Sequence, residues 1–472
     1  MLPHISGFTA ALGQILFVLH SISGCQLLAP HGKPTARNER GTGGPVSKSG
    51  DVTPPPPHAG VAGPQPSGGG PQAGAAPSAG AAPGSSPTMP TTVKPTVTPS
   101  PDTSTTPGGL PSVDNPFAAT KLFVNPDYAQ NVAQTAASAP NAAALGKLQQ
   151  VSTAFWIDST ARITPLRTYL NAAHQAASSG GKIAVTLVVY NLPDRDCAAK
   201  ASNGELQLSN NGEFLYRSYI DSIQGVLAQH SDLTIAIILE PDSLGNIVTN
   251  IGVTKCHDAQ GAYERGVSYA IQTLTALPNV SMYLDAAHSG WLGWPSNRTG
   301  FATEVKKVLQ MTDGRSAIRG FATNVANYSP LSVPEGATPT WYDTSNPARD
   351  ELTYVQLLAQ DLQKAGVNQV HFVIDTSRNG VIDSRQSWGS WCNIAASGLG
   401  VRPIVAPRAD IATIDAYLWI KPPGESDGTS DGGATRFDAT CAGSDAMTPA
   451  PEAGAWFGAY LIHAASKAQP AL

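Results

Sequence analysis

The sequence predicts an α/β protein built as a seven-stranded parallel (β/α) barrel, and three observations lead to this prediction. Seven short apolar runs recur after residue 115, helix-like stretches lie between most of them, and polar residues follow each run. Strands that alternate with helices favour a parallel sheet with helical crossovers. The runs are continuously apolar, which is typical of strands covered on both faces. No GxGxxG or P-loop pattern follows the first run, which disfavours a nucleotide-binding open sheet.

The apolar runs define the predicted strands. They are residues 153–157, 183–190, 233–239, 280–284, 320–323, 370–374 and 416–420. The clearest helical stretches between them are residues 213–229, 259–275 and 351–364. The polar groups that follow the strands are, in order, Trp156 and Asp158, Tyr190 with Asp194 and Asp196, Glu240 with Asp242, Asp285 with His288, Asn324 with Asn327, Asp375 with Arg378, and Lys421 with Glu425 and Asp427. A barrel of this kind places its active site at this rim.

The first part of the chain differs in composition from the rest. An apolar segment at residues 8–19, followed by small residues, is typical of a secretory signal, so residues 1–24 are predicted to be a signal peptide and the protein extracellular. A lipoprotein cleavage site before Cys25 is the alternative there. Residues 25–114 are rich in Pro, Gly, Ser, Thr and Ala and cannot bury enough apolar surface to offset chain entropy, which predicts a disordered linker. Residues 115–472 form the predicted globular domain.

Charge and cysteine content exclude several classes of function. Charged residues make up 13% of the chain, the net charge is −5, and no basic cluster follows the first hundred residues, so nucleic acid is not an expected partner. The apolar segment near the start is too short for a membrane span. The chain has no CxxC pair, and neither a metal nor a cofactor is expected. Beyond Cys25, four cysteines allow two disulfides with three connectivities. A monomer that binds a neutral polymer or a small polar ligand fits these observations.

Carboxylates that follow different strands are the candidates for catalysis. A general acid near neutral pH needs a raised pKa, which burial or a neighbouring carboxylate provides. Asp196 and Asp242 are the first pair, and Asp427 is a third member. Each aspartate taken singly fits a loop cap or an arginine partner better, so their combination carries the prediction. Arg195 and Arg378 are candidates to hold a carboxylate ionised.

Tryptophans in glycine-rich loops form a second group of candidates. Trp291 and Trp294 lie just after His288, and Trp391 directly precedes Cys392. Indole rings usually pack in a core, but rings in such loops favour platforms for the apolar faces of sugars. His288 lacks a second nearby histidine, which favours hydrogen bonding to sugar hydroxyls over metal binding. The long polar loop after the last strand, residues 421–441, is predicted to be a lid.

The segments YNLPDRDCAA, ASNGE, LEPDSLGNIVTN, YLDAAHSGWLGWP, ATNVANY, WGSWCN, KPPGESDGTSD and PAPEAGAWF occur in this order. Together they resemble glycoside hydrolase family 6, specifically its fungal cellobiohydrolases, over roughly residues 115–472. The resemblance implies a distorted seven-stranded barrel that hydrolyses the β-1,4 links of cellulose and cello-oligosaccharides with inversion. Full-length lid segments imply a loop-covered tunnel and release of cellobiose from non-reducing ends.

The resemblance also implies roles for individual residues. Asp242 matches the general acid, Asp196 the aspartate that raises the acid's pKa and helps organise the attacking water, and Asp427 the proposed base. Further matches are Tyr190 near the distorted sugar, Ser202 at the water, Trp156, Trp291, Trp294 and Trp391 as sugar platforms, and His288, Asn327, Lys421 and Glu425 as polar contacts. Asp158 is grouped with the substrate contacts, and Arg195, Asp285 and Arg378 with the supporting groups. The cysteines match bridges Cys197–Cys256 and Cys392–Cys441.

Three departures from the family pattern and two alternatives remain. Asn191 stands where many relatives have Asp, Pro423 replaces a Gly in the lid, and no cellulose-binding module is apparent. The alternatives are an endo-β-1,4-glucanase with open lids and a non-catalytic glycan-binding wall protein. Of the glycosylation sequons, Asn297 is the candidate for a surface glycan, whereas Asn279 and Asn327 are predicted to be unused.

Overall fold

The structure is a computed structural model that describes residues 115–472, apart from residues 313, 315–317 and 369. The predicted signal peptide at residues 1–24 and the predicted linker at residues 25–114 lie outside this part. No helix of the described part is long and apolar enough to cross a bilayer.

Nine strands form one sheet in the described part of the chain. They are β1 (Lys121–Leu122), β2 (Phe155–Ile157), β3 (Ile183–Val189), β4 (Thr234–Leu239), β5 (Val280–Asp285), β6 (Gly320–Thr323), β7 (His371–Asp375), β8 (Ile404–Val405) and β9 (Ile414–Leu418). Their order is β1-β3-β4-β5-β6-β7-β9-β8, and β2 also pairs with β3. All neighbouring strands are parallel except β8 and β9, which are antiparallel. The predicted α/β class with a mostly parallel sheet is therefore confirmed.

The predicted count of seven strands is wrong by two. All seven apolar runs form strands, in the spatial order β2-β3-β4-β5-β6-β7-β9. The two-residue strands β1 and β8 add to the edges, and they are too short to leave a signal in the sequence. Among the described residues no ladder joins β2 to β9. The backbone N–H of Ala154 donates to the carbonyl of Trp419 (3.1 Å), and the indole of Trp156 donates to the carbonyl of Ile420 (2.9 Å). The sheet thus curls round without closing as a barrel.

Ten α-helices connect or flank the strands within the described residues. They are α1 (Pro126–Ala136), α2 (Ala142–Gly146), α3 (Ile163–Gly180), α4 (Gly212–Leu227), α5 (Ser243–Thr249), α6 (Thr254–Leu274), α7 (Ser289–Leu292), α8 (Pro295–Gln310), α9 (Glu351–Lys364) and α10 (Gly458–Ser466). The three clearest predicted helices correspond to α4, α6 and α9. In α6 the buried side chains recur every three or four residues, at Tyr263, Val267, Ala270, Ile271 and Leu274, so one stripe of the helix faces the core.

The two faces of the sheet belong to two separate apolar clusters, which explains why the strands are continuously apolar. In β3, Val185, Leu187 and Val189 pack into the outer cluster with the crossover helices. Ala184 and Val188 alternate with them and pack into the inner cluster. All seven residues of β3 are buried, because a strand with helices on one side and the curled sheet on the other has no solvent face.

Two disulfides join loops that leave the carboxyl ends of different strands. Cys197 is bonded to Cys256, which connects the loop after β3 to the first turn of α6. Cys392 is bonded to Cys441, which connects the loop after β7 to the loop after β9. Both are the bridges that the family resemblance implied. The rim loops are therefore covalently tied to one another.

Candidate active site

Three buried carboxylates at strand ends organise the backbone of the rim, and we call them the rim carboxylates: Glu240, Asp285 and Asp375. Each accepts hydrogen bonds from main-chain N–H groups of neighbouring loops. The donors are Asn191 and Leu192 for Glu240, Asp242 and Ala287 for Asp285, and Ala326, Ser377 and Lys421 for Asp375. The loops after β3, β4, β6 and β9 are thereby fixed to the strand beside them.

The rim backbone adopts conformations that ordinary residues rarely take. Asp194, Asp196, Glu240 and Asp242 have φ between 49° and 65°, in the left-handed region. Such a conformation costs energy for a residue with a Cβ and persists only where surrounding contacts over-determine it. The main-chain hydrogen bonds to the rim carboxylates are such contacts. Ala287, Asn324 and Ala326 share this conformation, so the strain extends along the rim and includes the loops that hold Asp196 and Asp242.

Asp242 lies directly before α5, and its half-buried side chain is surrounded by other acids. Burial raises the pKa of Asp242 well above its ordinary value, and the negative charges of Asp285, Asp196 and Asp427 raise this pKa further. The carboxyl of Asp242 therefore keeps its proton to a higher pH than an ordinary aspartate does. A protonated carboxyl that keeps some access to solvent is able to donate that proton to a bound molecule.

Asp196 differs from Asp242 because it has donors close by. Burial raises its pKa, while the N–H of Ser202 (2.8 Å) and the charge of Lys255 oppose this rise. Lys255 donates to the carbonyl of Asp196 (3.3 Å) and to the side chain of Asn203 (2.6 Å). Lys255 was missed at the sequence level. The available signal was its position next to Cys256, whose disulfide partner follows Asp196.

Asp427 is held by four donated hydrogen bonds. Arg378 binds it with one nitrogen at 2.8 and 2.9 Å from the two carboxylate oxygens, and the Tyr328 hydroxyl (2.7 Å) and the Asn393 N–H (2.8 Å) also donate to it. The Arg378 side chain is completely buried. The expectation that Arg378 supports a carboxylate agrees with this geometry, whereas Tyr328 and Asn393 were not anticipated.

Arg195 does not support a carboxylate in the way that we expected. Its guanidinium donates to the carbonyl groups of Tyr190, Asp158 (2.7 Å) and Ser202 (2.9 Å), and it lies 4.2 Å from the centre of the Tyr190 ring. It forms no ion pair within the described residues, although its charge lowers the pKa of Asp196 slightly. The loop after β3 folds back so that three carbonyls converge on the guanidinium, and this convergence is invisible in the sequence.

The predicted sugar platforms all keep part of their surface exposed. Trp156, Trp291, Trp294 and Trp391 are each half-buried. Indole N–H groups are bonded to the protein in three of them, Trp156 to the Ile420 carbonyl, Trp291 to the Thr249 hydroxyl and Trp294 to the Ser345 hydroxyl. The ring of Trp156 meets that of Tyr190 edge-on at 5.8 Å. Burial, and then the charges of Asp196 and Asp242, raise the pKa of Tyr190, so this ring lies beside both acids.

The predicted polar contacts also lie around the rim. His288 is bonded through Nδ1 to the Ser329 hydroxyl (3.0 Å), and the Asn327 carbonyl oxygen accepts from Arg385 (3.1 Å). Lys421 lies 3.5 Å from Glu425 and 5.4 Å from the centre of the Trp156 ring. The described residues contain no cluster of side chains suited to a metal ion.

The loop predicted to be a lid has two different parts. Residues 421–429 are almost entirely buried and carry Asp427, whereas residues 431–440 are exposed or partly exposed throughout. A side chain on Gly428 would clash with the Cys441 sulfur and with Ala201, which explains the glycine there. In the exposed part, Asp438 accepts a hydrogen bond from the N–H of Lys200 (3.2 Å). Only residues 431–440 thus have the character of a lid.

Comparison with known proteins assigns this fold and rim to a family. Residues 117–468 match the profile described as Glycosyl hydrolases family 6. The chain belongs to this family. It is 45% identical to a probable 1,4-β-D-glucan cellobiohydrolase C of Aspergillus niger over 367 residues, which cover 76% of this chain and 78% of the relative. It is 40% identical to exoglucanase 2 of Hypocrea jecorina over 363 residues, which cover 75% of each chain.

Solved structures agree with the family assignment. The Cel6A cellobiohydrolase of Humicola insolens in complex with glucose and cellotetraose has a TM-score of 0.72 and 39% identity, and the match covers 76% of this family 6 chain and all of that chain. The catalytic core of the cellobiohydrolase Cel6A of Chaetomium thermophilum has a TM-score of 0.72 and 42% identity, with coverage of 75% and 99%.

The rim carboxylate Asp285 gives a testable dependence of stability on pH. Burial raises its pKa from the ordinary 3.8 to about 7, so between these values the folded state holds a proton that the unfolded state has lost. The free energy of unfolding therefore decreases as pH rises through this interval, by at most about 1.4 kcal/mol per pH unit. Asp285→Asn keeps an oxygen for both N–H groups but cannot ionise. We expect its unfolding free energy to improve relative to the native protein from pH 4 to 7, as measured by urea denaturation.

The matched control for this experiment is Asp431→Asn in the exposed part of the loop. This variant should follow the pH dependence of the native protein. A difference between Asp285→Asn and the native protein that stays constant with pH would show that Asp285 holds no proton in the folded state.

Proposed function

We propose that this family 6 protein is a secreted, inverting hydrolase that releases cellobiose from the non-reducing ends of cellulose chains. Its curated relatives include proteins described as cellobiohydrolases and exoglucanases, and neighbouring solved structures hold cello-oligosaccharides. The observation that carries the proposal is the half-buried Asp242, whose pKa is raised by the other acids and which lies near Tyr190, itself in contact with the half-buried Trp156. We further propose residues 1–24 as its signal peptide, residues 25–114 as its linker, residues 115–472 as its catalytic domain, and a monomer as its working state.

In the proposed reaction Asp242 is the general acid. It donates its proton to the glycosidic oxygen while the bond to the anomeric carbon breaks, and a water attacks that carbon from the opposite face. The Tyr190 ring stacks near the distorted sugar, and Ser202 helps to hold the water. The platforms proposed to bind the sugar rings are Trp156, Trp291, Trp294 and Trp391. The proposed polar contacts to the sugars are Asp158, His288, Asn327, Lys421 and Glu425.

The reaction also needs a base that accepts a proton from the attacking water. Asp427 was expected to be this base, but its Oδ2 accepts three hydrogen bonds and its Oδ1 accepts one from the buried Arg378, and these donors stabilise the charged carboxylate and make it a weaker proton acceptor. Asp196 has one oxygen engaged by the Ser202 N–H and the other without a hydrogen bond in the described residues. We therefore assign proton acceptance to Asp196. The negative charge of Asp427 then favours the positively charged transition state and keeps Asp242 protonated.

The exo-acting assignment depends on a covered cleft. The hydrogen bond between Asp438 and the Lys200 N–H joins the loops after β9 and β3, and the Cys392–Cys441 disulfide packs against Ala201 of the same β3 loop. Loops that hold each other in this way favour threading of a chain end over binding in the middle of a chain. An endoglucanase is the second candidate, and it would need this contact to open.

The role of Asp242 is tested with Asp242→Asn, which preserves shape but cannot donate a proton. We expect kcat on cellotetraose to fall at least about 10³-fold, because general acid catalysis contributes this much when the leaving group is poor. The dissociation constant for cellotetraose should change little. Asp431→Asn serves as the control and should retain native activity. A variant Asp242→Asn with most of its activity would exclude Asp242 as the acid.

The base is identified by chemical rescue. Azide is a small anionic nucleophile that needs no base, so it should restore turnover of an activated aryl cellobioside by Asp196→Ala and yield the α-glycosyl azide. Asp427→Ala should show no such rescue, because it loses charge stabilisation rather than a proton acceptor. If azide restored the activity of Asp427→Ala but not that of Asp196→Ala, Asp427 would be the base.

The products of cellohexaose distinguish the candidate functions. We expect cellobiose as the first and main product, and NMR should show its new reducing end first as the α-anomer. A rapid fall in the viscosity of carboxymethylcellulose would instead indicate an endoglucanase. A β-anomer would contradict inversion, and no turnover of swollen cellulose would indicate a glycan-binding protein.

A further inference from the structure

Arg385 is a buried cation that has no carboxylate partner. Its side chain is 2% exposed, its Nε has no hydrogen-bond partner, and none of its bonds goes to an acid of the described residues. Its guanidinium carbon lies 4.4 Å from the centre of the Trp341 ring. Burying an unpaired charge costs several kcal/mol, so such a residue is rarely a neutral packing choice. The groups that receive its hydrogen bonds indicate what it does.

The first acceptor of Arg385 fixes the protonation of His288. One terminal nitrogen of Arg385 donates to the Ser329 hydroxyl oxygen (3.1 Å), and that hydroxyl also lies 3.0 Å from Nδ1 of His288. Arg385 can only donate, and His288 Nδ1 is the only acceptor that lies within hydrogen-bond distance of the Ser329 hydroxyl among the described residues, so the hydroxyl proton is directed to His288. Nδ1 is then the acceptor, and the ring proton resides on Nε2. Nε2 has no partner in the described residues and is not enclosed.

The second acceptor fixes the orientation of Asn327. Its side-chain oxygen accepts from Arg385 (3.1 Å) and from the N–H of Tyr328 (2.8 Å). Both partners are donors, so the oxygen must face them and the NH₂ group must point the other way. That NH₂ group has no partner among the described residues and is not enclosed either. His288 and Asn327 therefore both present donors.

The third acceptor connects Arg385 to the aromatic residues of the rim. The same nitrogen that bonds Asn327 donates to the carbonyl of Trp388 (3.3 Å). The Trp388 ring is 49% exposed and meets the Trp294 ring at 5.7 Å, nearly edge-on. One buried guanidinium thus supports two hydrogen-bond donors and the backbone of an exposed indole.

We propose that Arg385 is a positioning residue that turns His288 and Asn327 into hydrogen-bond donors toward the sugar chain. This part of the cleft then recognises the lone pairs of glucosyl oxygens. The inference rests on the proposed function for the identity of the ligand, but the protonation state of His288 follows from the protein alone.

The charges around His288 are consistent with a permanently neutral ring. Burial, and then the charge of Arg385, hold the pKa of His288 well below its ordinary range. The acids nearby, Glu351 and Asp445, act on Arg385 and not on His288. Burial lowers the pKa of Arg385 to about 10, which leaves it charged at every pH where the enzyme would work. His288 should therefore stay a neutral donor in acidic medium.

The inference is tested by ¹⁵N NMR of the histidine rings in the ligand-free protein, with His288→Gln used to assign the signal. In the native protein His288 should show a neutral ring with the proton on Nε2 down to pH 5. Arg385→Gln removes the charge and replaces the guanidinium by a shorter amide, so the titration midpoint of His288 should rise by about one pH unit or more. Ser329→Ala keeps the charge but removes the relay, so the ring should stay neutral and populate both tautomers.

Arg385→Lys and Arg408→Gln complete the series. Arg385→Lys retains the charge and should keep the titration midpoint of His288 low. If Arg385→Gln does not fold, Arg385→Lys is the variant that is compared with the native protein. Arg408→Gln removes an exposed arginine that pairs with Asp410 and should leave the ring signal unchanged. A native His288 with its proton on Nδ1, or a midpoint that does not move in Arg385→Gln, would overturn the inference.

Calorimetry with cellotetraose then tests the consequence for binding. Arg385→Gln should weaken binding about tenfold at pH 7, which corresponds to the loss of one or two well-oriented hydrogen bonds. The loss should shrink at low pH, because a protonated His288 again donates from Nε2, whereas Arg385→Lys keeps the ring neutral and should lack this pH dependence. Native protein that neither binds nor hydrolyses cellotetraose would refute the proposed function, while the NMR result would still decide the role of Arg385. Equal affinity of the native protein and Arg385→Gln would overturn the positioning role.

Discussion

The hydrogen bonds between buried carboxylates and the backbone of neighbouring loops are the constraint on which the rim depends. Glu240, Asp285 and Asp375 are each almost fully buried, and each would be costly there without donors. The loops beside them contain N–H groups that no sheet ladder uses, and these would be equally costly unpaired. The loop N–H groups donate hydrogen bonds to the buried carboxylates, so neither the donors nor the acceptors remain unpaired. The left-handed residues of the rim are held in place by the same bonds.

This arrangement explains why a strongly acidic rim can distinguish its acids. Asp427 has a buried guanidinium, and Asp196 has an N–H group and a nearby ammonium. Among the described residues no donor bonds to the side chain of Asp242, and the charges of the acids near it raise its pKa. At distances of a few ångströms in a partly desolvated site, one unit charge acts on another with several kcal/mol, which is enough to keep a proton on the least supported member. The separation of roles thus results from where cations and amides are placed, since the carboxylates themselves are chemically alike.

The sequence predicted those features that depend on local pattern. Seven strands were recognised because a strand covered on both faces must be apolar throughout, and the acids at their ends were recognised because parallel strands end at one rim. β1 and β8 were missed because a strand of two residues is too short to show a hydrophobic pattern in the sequence. Arg195, Lys255 and Arg385 were misassigned or missed because their partners are carbonyl, hydroxyl and amide oxygens, most of them 5 to 60 residues away. The disulfide pairing came from the family resemblance, since cysteine count alone left three connectivities.

The same reasoning separates the fixed part of the cleft from the part that can move. Residues 421–429 deliver Asp427 and are tied to Arg378, Asn393 and the Cys392–Cys441 disulfide, so moving them would expose several buried polar groups at once. The exposed residues 431–440 reach the β3 loop through the hydrogen bond from the Lys200 N–H to Asp438. Breaking one such bond at the surface costs only about 0.5–1.5 kcal/mol, because water replaces the lost partner. The contact with the β3 loop and the contacts that hold Asp427 therefore involve different residues of one loop, so the first can break while the second remain.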